Sequence, residues 1–168
     1  MDRVITELKA EADRLEWDAL YTMKGHFNAA MLWNFTHYSL GIAAVILGTV
    51  AGKEFVGAEN ATTASAVATA SAAIAAIITL LKPSEKAQPH HASGVFYGAI
   101  KRKARMFQNI SLVAEPDPQA LRRELNELVI AYHDHQQSAP PVPSPAYWIT
   151  RRGVRGGEHT YNEPGEKK

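Results

Sequence analysis

The chain has 168 residues, no cysteine, 46% apolar and 21% charged side chains, and a formal net charge of +1. These values fit one ordinary domain and exclude a disordered chain, a collagen and a disulfide scaffold. Cysteine redox chemistry and cysteine-based zinc sites are excluded with them.

Residues 1–32 read as an amphipathic helix on the cytoplasmic side. Asp2, Arg3, Glu7, Lys9, Glu11, Asp13, Arg14, Glu16 and Asp18 leave no room for the apolar stretch of a signal peptide. Ile5, Leu8, Ala12, Leu15, Ala19 and Thr22 recur at steps of three and four, the stripe of a helix that packs on a partner. No proline intervenes before the apolar region, so the helix either continues into it or bends at Gly25. Trp17, Tyr21, Phe27, Trp33, Phe35 and Tyr38 are amphipathic rings of the kind that favour the headgroup level.

Two stretches contain no Asp, Glu, Lys or Arg: Gly25 to Gly52, 28 residues, and Ala61 to Leu81, 21 residues. About 20 apolar residues cross the hydrocarbon core as a helix, and both stretches are long enough. The expected spans are 33–52 and 61–81, joined by a short external loop at 53–60 that turns them into an antiparallel hairpin. Ala44, Gly48 and Gly52, four residues apart, form a small face that permits close helix contact in lipid. On the second span Thr62, Ser65, Thr69, Ala72, Ala76 and Thr79 make one small, weakly polar face, while Val67, Ile74, Ile78 and Leu81 fall largely elsewhere. That face reads either as pore-lining or oligomer-packing, or as plain packing against the first span. A soluble helical bundle is the competing fold, but bundle helices keep a charged face and neither stretch has one.

Four basic residues precede the first span, one lies in the loop, and Lys82, Lys86, Lys101, Arg102, Lys103 and Arg105 follow the second. The positive-inside rule therefore puts both termini in the cytoplasm. Lys82-Pro83 should end the second span, with a new helix from about Ser93 that presents Phe96, Ile100, Phe107 and Ile110 on one side. Lys101, Arg102, Lys103 and Arg105 form a basic cluster that can bind anionic lipid or a nucleotide signal, or simply set topology. Asp117-Pro118 starts a further helix with the stripe Leu121, Leu125, Leu128 and Tyr132, expected to pack on the N-terminal arm. Residues 82–137 thus read as cytoplasmic helices. Four prolines between Ser138 and Pro145 open a linker, and 138–168 as a whole is expected to be a flexible basic tail. Nucleic acid is not the expected partner of that tail.

No catalytic constellation occurs: P-loop, Gly-x-Gly-x-x-Gly, Gly-x-Ser-x-Gly and His-Glu-x-x-His patterns are missing. His90-His91 and His133-Asp134-His135 concentrate metal-binding side chains, but His133 and His135 point about 200° apart on a helix and cannot share an ion. The expectation is an all-α, non-enzymatic membrane protein with no cofactor and no metal.

The order of parts resembles the SLATT family of two-transmembrane effector domains. The first span is entered through His37-Tyr38-Ser39-Leu40-Gly41-Ile42 and the second is left through Leu80-Leu81-Lys82-Pro83-Ser84-Glu85-Lys86-Ala87. Met23-Lys24-Gly25-His26-Phe27-Asn28-Ala29, Phe96-Tyr97 and Phe107 add to the likeness, which covers roughly residues 7–113. The resemblance implies a pore-forming or membrane-perturbing effector of a prokaryotic anti-phage system in the bacterial inner membrane, which oligomerises with itself and causes cell death or dormancy. Family members are associated with SMODS nucleotidyltransferases and SLOG sensors. No sensor is fused here, so the resemblance implies one acting in trans. A membrane anchor or assembly scaffold for a cytoplasmic partner is the alternative.

Overall fold

The computed structural model describes residues 2–57, 61–114 and 117–158, and every regular element among them is helical. In chain order these are α1 (Asp2–Gly57), α2 (Ala61–Leu81), α3 (Pro83–Met106), a π-helical turn (Phe107–Ser111), α4 (Leu112–Ala114), α5 (Pro118–Ser138) and α6 (Ser144–Arg155). Two helical stretches are long and apolar enough to cross a membrane, one within 3–53 and one within 61–114.

Helix α1 runs unbroken for 56 residues, which settles the question left open at Gly25. A lone glycine costs a helix only about 1 kcal/mol, and α1 passes through Gly25 and Gly52 alike. It also takes up 53–57, so most of the expected loop is helix and only 58–60 lie outside the described residues.

The described parts of 1–29 and 89–168 form one compact unit, and 30–88 a second. The first unit is built on three stripes. Leu8, Ala12, Leu15 and Ala19 of α1, Tyr97, Ile100, Ala104 and Phe107 of α3 with its π turn, and Leu121, Leu125, Leu128 and Tyr132 of α5 make one buried core. All three alternate steps of three and four, the spacing that keeps knobs facing a common seam. Each buried Leu contributes about 1.5–3 kcal/mol. Asp117 caps α5 as its sequence implies, its carboxylate accepting from the backbone N–H of Gln119 at 2.9 Å and of Ala120 at 3.2 Å.

Three sequence expectations change here. Helix α3 begins at Pro83 rather than near Ser93, because proline suits a first helical turn, and it tolerates Pro89 inside. Ile110 is 56% exposed, since the wider π turn at 107–111 shifts the register of the apolar face there, and Tyr97 rather than the half-buried Phe96 lies fully buried beside Phe107 in the core. The tail is not flexible over 144–155. There Pro145 initiates α6, and Ala146, Thr150 and Val154, one turn apart, are buried. Residues 159–168 lie outside the described residues.

In the second unit the less exposed side of α2 is Ala64, Val67, Ser71, Ile74 and Ile78. On α1 it includes Trp33, His37, Leu40, Ala44, Leu47 and Ala51. The Ser71 hydroxyl donates to the Ala44 carbonyl at 2.8 Å. Lys82 breaks α2 from α3 with φ of 45°, a left-handed conformation of the kind that ends helices, and Pro83 after it disfavours continued right-handed helix at this residue. Lys86 places its ammonium 4.9 Å from the Trp33 ring centre.

Candidate functional site

The six residues expected on one face of α2, Thr62, Ser65, Thr69, Ala72, Ala76 and Thr79, are all exposed. The less exposed side of α2, with Ala64 and Ser71, lies instead about a third of the way round the helix, where Ser71 bonds the Ala44 carbonyl and Val67, Ile74 and Ile78 bring apolar bulk. Thr69 donates to the Ser65 carbonyl at 2.8 Å and Thr79 to the Ala75 carbonyl at 2.9 Å. Back-bonding satisfies each donor inside its own helix, which apolar surroundings require, while an oxygen lone pair stays available outward. Ser65 and Ala72 from this face, with Gly48, Ala51 and Gly52 of α1, line a groove of about 600 Å³.

The expected α1 face divides. Ala44 lies at the contact through its carbonyl. A Cβ on Gly48 would sit 3.4 Å from the Ser71 hydroxyl, an ordinary contact, and one on Gly52 would meet nothing within 4 Å. The glycines therefore open the groove rather than enforce backbone contact. Beside it, His37, Tyr38, Gly41 and Ile42 line a second hollow of about 320 Å³, and among the described residues the buried His37 Nδ1 has no hydrogen-bond partner.

The basic cluster does not converge. Lys101 and Arg105 share one side of α3, Lys103 lies far round the helix, and buried Ala104 intervenes. Lys101 instead joins Glu16, Trp17 and Leu20 around a hollow of about 150 Å³. Four charges wrapped around a helix form a solvated surface rather than a pocket for one anion.

The most ordered polar arrangement is one the sequence reading did not assemble. In the first unit His26 of α1 and His90 of α3 face each other, Nδ1 to Nδ1 at 3.1 Å, and both are buried. Tyr97 stacks on His26 with ring centres 5.5 Å apart and meets Tyr132 edge-on at 5.2 Å. His135 of α5 stacks on Phe96 at 4.0 Å, and its Nε2 lies 3.2 Å from the Ser93 hydroxyl. The Tyr132 hydroxyl pairs with Thr22 at 3.0 Å. One signal could have found the layer: His26, Ser93, Tyr97 and His135 fall on the same three-four spacing as the apolar stripes, where a count of apolar residues alone stops at Thr22.

Burial, with the nearby His90 and His135 adding to it, holds the His26 imidazole down to about 4, and burial lowers His90 as well. Burial first, then Tyr132, pushes the Tyr97 phenol up to about 12. All three are therefore neutral near pH 7. A bond between two Nδ1 atoms uses one N–H and one lone pair, so the pair holds a single shared proton there. The Tyr97 hydroxyl is buried without a partner among the described residues. Among those residues no three His or carboxylate side chains are grouped to hold a metal ion. These ring contacts and hydrogen bonds tie α1, α3 and α5 to one another. No family model, curated protein or solved structure matches the chain.

Proposed function

We propose that the chain is an integral membrane protein whose two apolar helices form a hairpin with cytoplasmic termini, and that several copies assemble to permeabilise the membrane. One observation carries the reading: only 6% of each apolar window is buried, although a soluble core helix of such composition would be mostly covered. Lipid is the solvent that accepts such surface. The uncovered face at Thr62, Ser65, Thr69 and Thr79 then supplies the polar side, and one hairpin is too narrow to enclose water, so neighbours must complete a path. The resemblance to SLATT effectors supports placing this activity in prokaryotic anti-phage defence at the bacterial inner membrane, ending in cell death or dormancy. The trigger in this reading is a sensor or nucleotidyltransferase acting in trans, and the chain itself performs no catalysis.

Induced expression in cells loaded with a membrane-potential dye tests it. Depolarisation, spontaneous or with the activating partner, is the expected result. An unchanged potential from a membrane-inserted protein moves the assignment to an anchor or scaffold, and full-length protein in a detergent-free supernatant defeats the membrane reading altogether.

A further inference from the structure

Helix α6 has two unlike faces. Ala146, Thr150 and Val154 are buried in the first unit, where Thr150 accepts the Asn28 side-chain amide at 2.9 Å. Val142, just before α6, lies against Gly25, a Cβ there falling 3.4 Å from its side chain. The opposite face carries Trp148, 61% exposed, Tyr147, 49% exposed, and Arg151, Arg152 and Arg155. Ser144–Arg155 contains no acidic residue, and among the described residues none of the three guanidiniums pairs with a carboxylate. Arg151 lies 5.7 Å from the Trp148 ring centre.

We infer that this face docks on an anionic bilayer surface, with Trp148 and Tyr147 at the headgroup level and the arginines on lipid phosphates. Amphipathic rings set among arginines on one side of a short helix are the composition of an in-plane interfacial helix. Charge complementarity selects the anionic lipid, since each arginine at such a surface favours docking about fivefold. Position favours lipid over other polyanions. The anchoring residue Asn28 precedes residue 33, where the first span is proposed to begin, by five residues, and five residues of chain reach at most about 18 Å. That last step rests on the membrane reading above; the chemistry of the face does not.

The chain has no cysteine, so Ile149→Cys carries a single environment-sensitive nitrobenzoxadiazole label at the flank of the face without removing an anchor. Full-length labelled protein is reconstituted into phosphatidylcholine vesicles with and without about 30% phosphatidylglycerol at about 0.1 M salt. Emission that is blue-shifted and about twofold brighter in the anionic vesicles is expected, with reversal at high salt. Arg152→Glu with Arg155→Glu should abolish the difference, and Arg152→Gln with Arg155→Gln should weaken it, with helix content unchanged in both. Alkaline carbonate extraction of the same samples reads the spans separately. A carbonate-resistant protein whose label ignores lipid charge overturns the docking alone. A charge-sensitive label on a protein that carbonate releases supports the docking and overturns the spans. Brightening that follows protein concentration in neutral detergent gives the face to a second copy and overturns the proposal.

Discussion

The proton shared by His26 and His90 makes the first unit sensitive to acid. Both imidazoles titrate lower in the fold than the ordinary value of 6.5, so between 6.5 and about 4 the unfolded chain binds more protons than the folded one. The stabilisation is complete above 6.5 and is lost as the pH falls toward 4, His26 alone accounting for a change on the order of 3 kcal/mol. Thermal melts of the purified protein should drop steeply over that window, and His26→Leu with His90→Leu, which removes both polar partners together, should flatten the slope. Glycines give a second test of packing. A Cβ on Gly94 would lie 2.8 Å from the Phe27 ring, whereas one on Gly52 meets nothing within 4 Å. Gly94→Ala should therefore destabilise by about 1–3 kcal/mol, and Gly52→Ala should gain up to about 1 kcal/mol of helix propensity, both read by denaturant unfolding in detergent. At this scale the sequence was partly legible. The apolar positions Leu8, Leu15, Leu121 and Leu125 stand out by their period, but a histidine on the same seam looks like a surface residue until its partner, 64 positions away, is known.

Among the elements, α5 was legible to its first residue, because Asp117-Pro118 and a leucine stripe are strong local signals. Helix α6 was not. Its buried side is Ala, Thr and Val, too small to register as an apolar period, and the prolines before it suggested a linker that in fact ends at Pro143. The packing side of α2 was missed for a related reason: when nearly every residue is small or apolar, period cannot choose a face, and the choice falls to contacts such as Ser71 with Ala44. The break between α2 and α3 makes a sharper forecast. Lys82 holds φ of 45°, a conformation costing an L-residue about 1–2 kcal/mol, and a β-branched side chain suffers most there. Lys82→Val should lower stability by about 1–2 kcal/mol, while Lys82→Gly should not lower it, as measured by the urea midpoint in micelles.

At the scale of the whole molecule, the groove that Gly48, Ser65 and Ala72 line shares Ser65 with the face that the proposed function gives to neighbouring copies. Gly48→Ala places a methyl in ordinary contact and should leave oligomer size unchanged; Gly48→Leu fills part of the groove and should reduce both oligomer size, by light scattering in detergent, and toxicity. Thr69→Val keeps shape and removes a hydroxyl that bonds only its own helix, so it should alter conductance and leave assembly intact. All-helical character and two helices fit for a membrane were legible from the charge-free runs, since solvation by lipid or water is a property of composition. What assembles, and on what signal, is a property of surfaces that composition does not encode. The uninterrupted α1 carries one last consequence. Within the second unit Trp33, His37, Leu40, Ala44, Leu47 and Ala51 hold the less exposed side of α1 at steps of three and four. Inserting one alanine between Leu40 and Ala44 turns everything beyond it by about 100° and takes Ala44, Leu47 and Ala51 off the side that Trp33 and His37 set. A hairpin that survives single substitutions along that side yet fails with one inserted residue would be held by phase rather than by any one contact.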